Sequence, residues 1–269
     1  MNTTHSTPHV PEFLKVLAHE LRWNIVTTLA HSDRSVQEII QDFHEPQNVV
    51  SYHLRKLREH HLVTERRSSA DERSLYYSLD LEALRVLYLS AGSVLHPAIG
   101  SLEVPSDPQQ WPIPERPLRV LFLCTHNSAR SLLAEALLRQ MSSGRVEVAS
   151  AGTEPAGIHP ATMQVLASLH VDHSRLRSKH IDELGDQHFD YVITVCDRVR
   201  ESCPTWPDNT ELIHWSFPDP VQAEGTPEQR YQAFEHTATQ LATRIRYFLT
   251  LVEHRYQQQQ PASVEHHRV

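Results

Sequence analysis

Residues 118–131 read LRVLFLCTHNSARS, and this stretch decides the fold of the second half of the chain. Its first six residues form an apolar run that is typical of a buried parallel strand. Cys124 follows directly, Arg130 stands six positions later, and the pattern LLAEALLRQM then predicts a helix. We therefore expect a cysteine-x5-arginine loop between a strand and a helix, in an α/β domain with a parallel sheet.

A loop in this place has the chemistry of an oxyanion cradle. Backbone N–H groups and the helix N-terminus favour a thiolate, so we expect the pKa of Cys124 to lie below the ~8.5 of a free thiol. Arg130 carries a planar fork that can hold two oxygens of a tetrahedral oxyanion, and Ser131 can donate to the sulfur. Asn127 is expected to adopt a left-handed backbone conformation. The loop positions around Cys124 and Arg130 are Thr125, His126, Asn127, Ser128, Ala129 and Ser131.

Three later segments accompany this loop. Residues 150–152, SAG, follow a predicted second strand. Residues 191–196, YVITVC, predict a strand that ends in Cys196, and Cys203 follows seven residues further along the chain. Asp219 then precedes a proline in the sequence HWSFPDP. An acid and two further thiols are therefore available to the same domain.

With these segments, residues 118 to about 252 resemble the thioredoxin-coupled arsenate reductases, which have the low-molecular-weight tyrosine phosphatase fold. The resemblance implies that Cys124 attacks arsenate, that Cys196 attacks Cys124 to release arsenite, and that Cys203 moves the disulfide to Cys196–Cys203. It implies that Asp219 is the general acid. It also implies no tightly bound cofactor and an external dithiol reductant such as thioredoxin.

A protein-tyrosine phosphatase of the same fold is the alternative enzyme. A phosphatase needs neither later cysteine, and it usually has tyrosine after its Asp-Pro, where this chain has Val221. The residues therefore favour arsenate as substrate. Two positions depart from the family pattern: His126 replaces a usual glycine, and Ala129 replaces a frequent cysteine that is outside the relay.

The resemblance also bears on metal binding. Some relatives bind an alkali cation near the loop through Asn, Glu, Ser and Asp side chains. Asn127, Glu135 and Ser150 match this set, but Lys179 fills the Asp position. A lysine ammonium can replace the cation, so we expect no metal and little potassium dependence.

The first part of the chain predicts a winged helix-turn-helix domain. Apolar residues at three- and four-residue steps predict two short helices or one broken helix in residues 11–30. A capping box at Ser35–Glu38 opens the next helix. A polar-faced helix begins at Gln47, strands at residues 62–67 and 74–79 flank a basic hairpin, and residues 81–95 predict a last helix.

In this order of elements the polar-faced helix enters the major groove and the hairpin contacts the DNA backbone. The side chains of this helix and of the hairpin can hydrogen-bond bases or neutralise phosphates. The alternative is a helical protein-interaction module with an ordinary charged surface. The candidate DNA-binding residues are Gln47, Asn48, Ser51, Tyr52, Arg55, Lys56, Arg58, Arg66, Arg67 and Arg73.

Residues 12 to 95 resemble the ArsR family of winged-helix repressors. The resemblance implies binding to double-stranded operator DNA and a homodimer that forms partly through the terminal helices. Members that sense trivalent arsenic often carry a cysteine cluster before the recognition helix, whereas residues 34–36 here read RSV and the domain has no cysteine. The matching segments are LKVLAHELRWNIVTTL, SVQEII, VVSYHLRKLREHHLV and RSLYYSL.

The bulk composition limits the remaining choices. The chain of 269 residues has a net charge of −8, so only a local surface can be basic. No apolar run approaches the ~18 residues of a membrane span, and the N-terminus lacks signal-peptide features, so we expect a cytoplasmic protein. The predicted regions are a flexible N-terminus at 1–10, the winged-helix domain at 11–100, a Pro-rich linker at 101–117, the reductase domain at 118–252 and a disordered tail at 253–269.

Two hypotheses for the whole chain remain open beside the phosphatase. The first is a bifunctional arsenic-resistance protein, in which a transcriptional regulator is joined to its arsenate reductase. The second is a non-enzymatic sensor, whose thiols bind arsenite or become oxidised and thereby release DNA.

Overall fold

A computed structural model describes residues 9–71, 73–95, 117–202, 206–207 and 209–259. The chain divides into two compact units, Met1–Pro105 and Ser106–Val269. Cys203 and most of the predicted N-terminal segment and linker lie outside the described residues. No described helix is long and apolar enough to cross a membrane.

Unit 1 contains the predicted helices and hairpin, with one additional short strand. Its helices are α1 Glu12–Leu17, α2 Glu20–His31, α3 Val36–Phe43, α4 Gln47–Glu59 and α5 Leu81–Leu95, and its strands are β1 Arg34–Ser35, β2 Val63–Arg67 and β3 Leu75–Leu79. The strands form an antiparallel sheet in the order β1-β3-β2. The sequence pattern did not predict β1, because two residues are too few to show an alternation.

Local hydrogen bonds explain where the helices of unit 1 begin and end. The break between α1 and α2 is capped by His19, whose Nδ1 accepts from Leu21 N at 3.2 Å. The predicted capping box is confirmed: Glu38 N donates to Ser35 Oγ at 3.2 Å, and Ser35 N donates to Glu38 Oε2 at 2.8 Å. His44 closes α3 in the left-handed conformation, with φ 55°. Helices α3 and α4, which the following turn joins, both contribute to one apolar core.

Unit 2 is the predicted α/β domain. Its strands are β4 Leu118–Cys124, β5 Val146–Gly152, β6 Tyr191–Thr194 and β7 Glu211–His214, and its helices are α6 Arg130–Met141, α7 Pro160–Ser168, α8 Asp197–Ser202 and α9 Pro227–Gln259. All neighbouring strands are parallel, in the order β5-β4-β6-β7.

The register of the central strands positions the thiols. Leu123 of β4 lies opposite Thr194 of β6, and Val195 N donates to Leu123 O at 2.8 Å. Since the carboxyl ends of parallel strands share one edge of a sheet, Cys124 and Cys196 come to the same edge. Strand β6 is buried throughout, and β4 is buried except at the half-buried Arg119, as their apolar runs predict.

The end of the chain differs from the prediction. Helix α9 continues through residues 253–259, where the sequence predicted a disordered tail. Val252 is buried, and Arg255 donates to the Tyr191 hydroxyl at 3.2 Å and pairs with Glu211. These contacts with the sheet stabilise helical turns whose glutamine-rich sequence carries no apolar pattern. Residues after 259 lie outside the described part of the chain.

Candidate functional site

The cysteine-x5-arginine loop encloses the Cys124 sulfur at the edge of the sheet. Cys124 is 2% exposed. Asn127 N donates to its Sγ at 3.1 Å, and Ser131 Oγ lies 2.9 Å from the same sulfur. Asn127 has φ 41°, as its sequence position predicts, while His126 does not have a positive φ. A histidine is therefore accommodated where relatives have glycine.

A second segment, residues 153–159, holds the outer side of this loop. Its backbone N–H groups donate to three loop carbonyls, from Glu154 to Thr125 O at 2.8 Å, from Ala156 to His126 O at 3.0 Å, and from His159 to Ser128 O at 3.0 Å. Because these carbonyls are bound on the outer side, the loop N–H groups are free to turn toward Cys124. Sequence reasoning missed this support, since backbone donors leave no residue-type signal.

Close approach of β5 also shapes the loop. A Cβ on Gly152 would lie 2.5 Å from Thr125 O and 2.9 Å from Asn127 N, so only glycine fits there. This gives a steric reason for the glycine of the SAG segment.

A chain of buried polar groups fixes the direction of the hydrogen bond to the sulfur. Ser150 Oγ donates to Glu135 Oε2 at 2.6 Å, and Asn127 Nδ2 donates to both Ser150 Oγ and Ser131 Oγ at 2.9 Å. Since Ser131 accepts from Asn127, its own proton can point to Cys124 Sγ. The serine is therefore oriented as a donor to the thiolate.

The pKa of Cys124 differs from the sequence prediction. Burial raises the pKa of this thiol above its ordinary value, and the neighbouring Cys196 adds to the effect. Arg130 and Ser131 lower it, but they do not outweigh the loss of solvent. In the free protein the donors around Cys124 limit a rise in pKa that burial causes.

The predicted cation position holds a lysine. Lys179 Nζ lies 3.9 Å from Glu135 Oε2, and both side chains are largely buried. Lys179 N also donates to Asn127 Oδ1 at 2.8 Å. Burial lowers the pKa of Lys179, while the Glu135 carboxylate opposes this shift. The residues do not fit an alkali cation, because an ammonium already faces the carboxylate that would bind it.

Arg130 and Asp219 meet at the open side of the loop. Arg130 Nη2 lies 3.0 Å from Asp219 Oδ2, and Nη1 donates to Phe217 O at 3.1 Å. An oxyanion held by Arg130 would therefore lie beside the Asp219 carboxyl. This is the relation that a general acid needs to a bound ligand.

Cys196 lies beside the same loop. It is 1% exposed, and Thr125 Oγ1 lies 3.4 Å from its Sγ. The structure thus brings together Cys124, Arg130, Cys196 and Asp219. The position of Cys203 is outside the described residues. Among those residues, no group of three or more His, Cys, Asp or Glu side chains could hold a metal ion.

In unit 1 the candidate DNA-binding residues occupy α4 and the hairpin. The α4 side chains of Gln47, Asn48, Ser51, Tyr52 and Arg55 are exposed, as are Arg67 and Arg73 of the hairpin, while Arg66 is half-buried.

Acidic side chains, which the sequence analysis did not single out, lie among these cations. Glu59 lies 3.7 Å from Arg55 Nε and 2.7 Å from Lys56 Nζ. Glu65 pairs with Arg58 and accepts from the Tyr77 hydroxyl at 2.9 Å. The surface therefore combines basic and acidic groups.

Comparison with known proteins agrees with both units. Residues 119–259 match the family described as low molecular weight phosphotyrosine protein phosphatase, and residues 17–66 match a helix-turn-helix domain. The chain therefore belongs to the low molecular weight phosphotyrosine protein phosphatase family, with a helix-turn-helix domain at its N-terminus.

Several curated relatives that match unit 2 are named arsenate reductases. The chain is 36% identical over 129 residues to that of Halalkalibacterium halodurans, which covers 48% of this chain and 93% of the relative. It is 33% identical over 129 residues to that of Bacillus subtilis, with the same coverage of 48% and 93%.

Two solved structures are also similar. The arsenate reductase of Archaeoglobus fulgidus has 28% identity and a TM-score of 0.40, over 48% of this chain and 98% of that one. The thioredoxin-dependent arsenate reductase of Corynebacterium glutamicum has 21% identity and a TM-score of 0.38, over 82% and 96%.

Replacement of Ser131 by alanine tests the donor at the sulfur. The thiolate loses one charge-assisted hydrogen bond, so its pKa rises further and the pH profile of Cys124 alkylation moves up by roughly one unit. The measurement is the rate of iodoacetamide alkylation from pH 7 to 11, with replacement of the exposed Ser168, the last residue of α7, by alanine as control. An unchanged profile in Ser131→Ala would show that the hydroxyl does not donate to the thiolate.

Lys179→Gln tests the internal cation. The wild-type Tm should change little when potassium chloride replaces choline chloride at constant ionic strength. In Lys179→Gln the Glu135 carboxylate loses its ammonium, so the Tm should fall and potassium should partly restore it. Arg177→Gln, whose side chain is 62% exposed, is the control. If the Tm of the wild type depends on potassium as strongly as that of the variant, Lys179 does not replace the cation.

Proposed function

We propose that this chain is a bifunctional arsenic-resistance protein: an arsenate reductase joined to a DNA-binding regulator. The observation that carries the enzymatic part is a second buried thiol, Cys196, beside the loop that encloses Cys124. A phosphatase uses only the first thiol. The identity of unit 2 to curated arsenate reductases supports the same choice of substrate.

The first step is attack of the Cys124 thiolate on arsenic. A sulfur–arsenic bond forms as an arsenic–oxygen bond breaks, and the departing oxygen takes a proton from Asp219. Arg130 and the loop N–H groups hold the remaining oxygens. Ser131 stabilises the thiolate before attack, since it accepts from Asn127 and its own proton can then point to the sulfur.

The second step is attack of Cys196 on the Cys124 sulfur. A disulfide forms, and the electron pair of the sulfur–arsenic bond stays with arsenic, which leaves as arsenite. The Thr125 hydroxyl is in contact with Cys196 Sγ, where it can donate to the attacking thiolate. Phosphate offers no such reduction, which is why a phosphatase has no use for this thiol.

The third step is attack of Cys203 on the Cys196 sulfur. The disulfide moves to Cys196–Cys203, and Cys124 is returned as a thiol. The position of Cys203 is outside the described residues. A dithiol such as thioredoxin then reduces the Cys196–Cys203 disulfide.

The reductase proposal predicts different effects of the cysteines on two reactions. With thioredoxin, thioredoxin reductase and NADPH, arsenate-dependent turnover should fall at least about 10³-fold in Cys124→Ser, Cys196→Ser and Cys203→Ser. Hydrolysis of p-nitrophenyl phosphate, if present, should be lost only in Cys124→Ser, because it needs no second thiol. Phosphatase activity with no arsenate turnover in the wild type would instead support the alternative enzyme.

Unit 1 is proposed to bind double-stranded operator DNA as a homodimer. The helix-turn-helix match and the exposed polar face of α4 support DNA binding. Helix α5 supports the dimer, since its residues Val86, Val94 and Leu95 are 54%, 64% and 79% exposed. Burial of such apolar side chains between two copies is favourable.

Arg67→Ala tests the phosphate contacts of the hairpin. Binding to DNA from upstream of the chain's own gene should weaken, and the slope of log K against log salt should fall by about 0.9. Lys15→Ala is the matched control, since this side chain on α1 is exposed. An unchanged slope in Arg67→Ala would show that Arg67 of the hairpin does not contact a DNA phosphate.

Addition of arsenite to the same reactions tests the sensor hypothesis. Since unit 1 has no cysteine, release of DNA by arsenite should depend on the thiols of unit 2. Loss of that release in Cys124→Ser would support a sensing role beside catalysis.

A further inference from the structure

A buried polar cluster begins one residue after Cys196 and takes no part in the steps described above. The side chains of Asp197 and His214 are both 0% exposed, and His214 Nε2 lies 3.2 Å from Asp197 Oδ1. Ser216 Oγ donates to the same carboxylate oxygen at 2.7 Å. Because an ionised carboxylate only accepts, His214 carries a proton on Nε2. Thr194 Oγ1 lies 2.8 Å from His214 Nδ1 and orients the ring from the other side.

Disruption of this cluster lowers the stability of the folded protein. A buried carboxylate that loses its donors is strongly destabilising, so Asp197 is held in one place by His214 and Ser216. The first residue of α8 is therefore fixed to the end of β7, although α8 itself is a short helix of six residues. Cys196 is bonded directly to this fixed residue.

Through Ser216, the same carboxylate is linked to the segment that contacts Arg130. Ser216 is followed by Phe217, whose carbonyl accepts from Arg130, and Asp219 pairs with Arg130 two residues later. One side chain therefore connects two segments that are distant in sequence. One segment carries Cys196, and the other carries the contacts of Arg130.

We propose that Asp197 is a positioning residue for both halves of the reaction. Through His214 and Ser216 it holds Cys196 against the oxyanion loop, and it holds residues 216–219 against Arg130. The cluster thereby ties the placement of the second thiol to the placement of the oxyanion ligands. This inference rests on the proposed two-thiol chemistry.

Hydrogen peroxide tests the position of Cys196 without arsenate. Cys124 thiolate attacks peroxide to give a sulfenic acid and hydroxide, and Cys196 then attacks the sulfenic sulfur, so that a disulfide forms and water leaves. Rapid quenching, alkylation of free thiols and peptide mass spectrometry give the rate at which Cys196 enters a disulfide, counting Cys124–Cys196 and its product Cys196–Cys203 together. Asp190→Ala is the matched control, since Asp190 precedes β6 at the opposite end of the strand and is 15% exposed.

The expected result is a graded effect. Asp197→Ala should slow disulfide formation about tenfold or more, while Asp190→Ala stays within about twofold of the wild type. Asp197→Asn keeps an acceptor oxygen for Ser216 and should recover most of the rate. Asp197→Ala should also weaken the protection of Cys124 by inorganic phosphate against iodoacetamide about fivefold, because the segment at Arg130 is loosened.

Other results overturn the inference. A disulfide rate in Asp197→Ala within about twofold of the wild type, or an equal loss in Asp190→Ala, would show no specific positioning. Absence of any disulfide at Cys196 in the peroxide-treated wild type would also contradict it. If the wild type forms this disulfide with peroxide but not with arsenate, the reductase proposal fails, and the peroxide rates of the variants still decide the role of Asp197.

Discussion

The second unit depends on the hydrogen bonds that hold the Cys124 sulfur inside a buried loop. Asn127 N and Ser131 Oγ lie 3.1 and 2.9 Å from this sulfur. Burial opposes the thiolate and raises the pKa of Cys124. The site can therefore react with an oxyanion only if each donor is held in place by contacts of its own. Those contacts come from β5, α6 and the segment at residues 153–159, so the chemistry of one sulfur constrains much of the domain.

The second constraint is the edge of the sheet that Cys124 and Cys196 share. Parallel pairing of β4 with β6 brings the two thiols to one site, and Arg130 and Asp219 meet at the same loop. Family membership alone is compatible with phosphate or arsenate chemistry. In the proposed relay the second thiol makes the reduction of arsenic possible, since its bond to the Cys124 sulfur leaves the electron pair of the sulfur–arsenic bond on arsenic.

The sequence predicted the local helices, strands and loops better than the contacts that hold them together. The strand, loop and helix around Cys124 and the capping box at Ser35 are confirmed, because each follows from local patterns. The strand predicted to end in Cys196 is also present, but it ends at Thr194. The backbone donors of residues 153–159 and the pairing of Asp197 with His214 could not be predicted in this way. They join segments through geometry that no residue spacing encodes. The pKa direction of Cys124 was wrong because depth of burial is a property of the whole fold.

The central claim is that arsenate is reduced by thiols of this chain. The most direct measurement mixes reduced protein with arsenate, without any external reductant, and counts arsenite and free thiols after acid quenching. We expect one arsenite released per chain and the loss of two free thiols in the same time course. Unchanged arsenate with all thiols still free would contradict it.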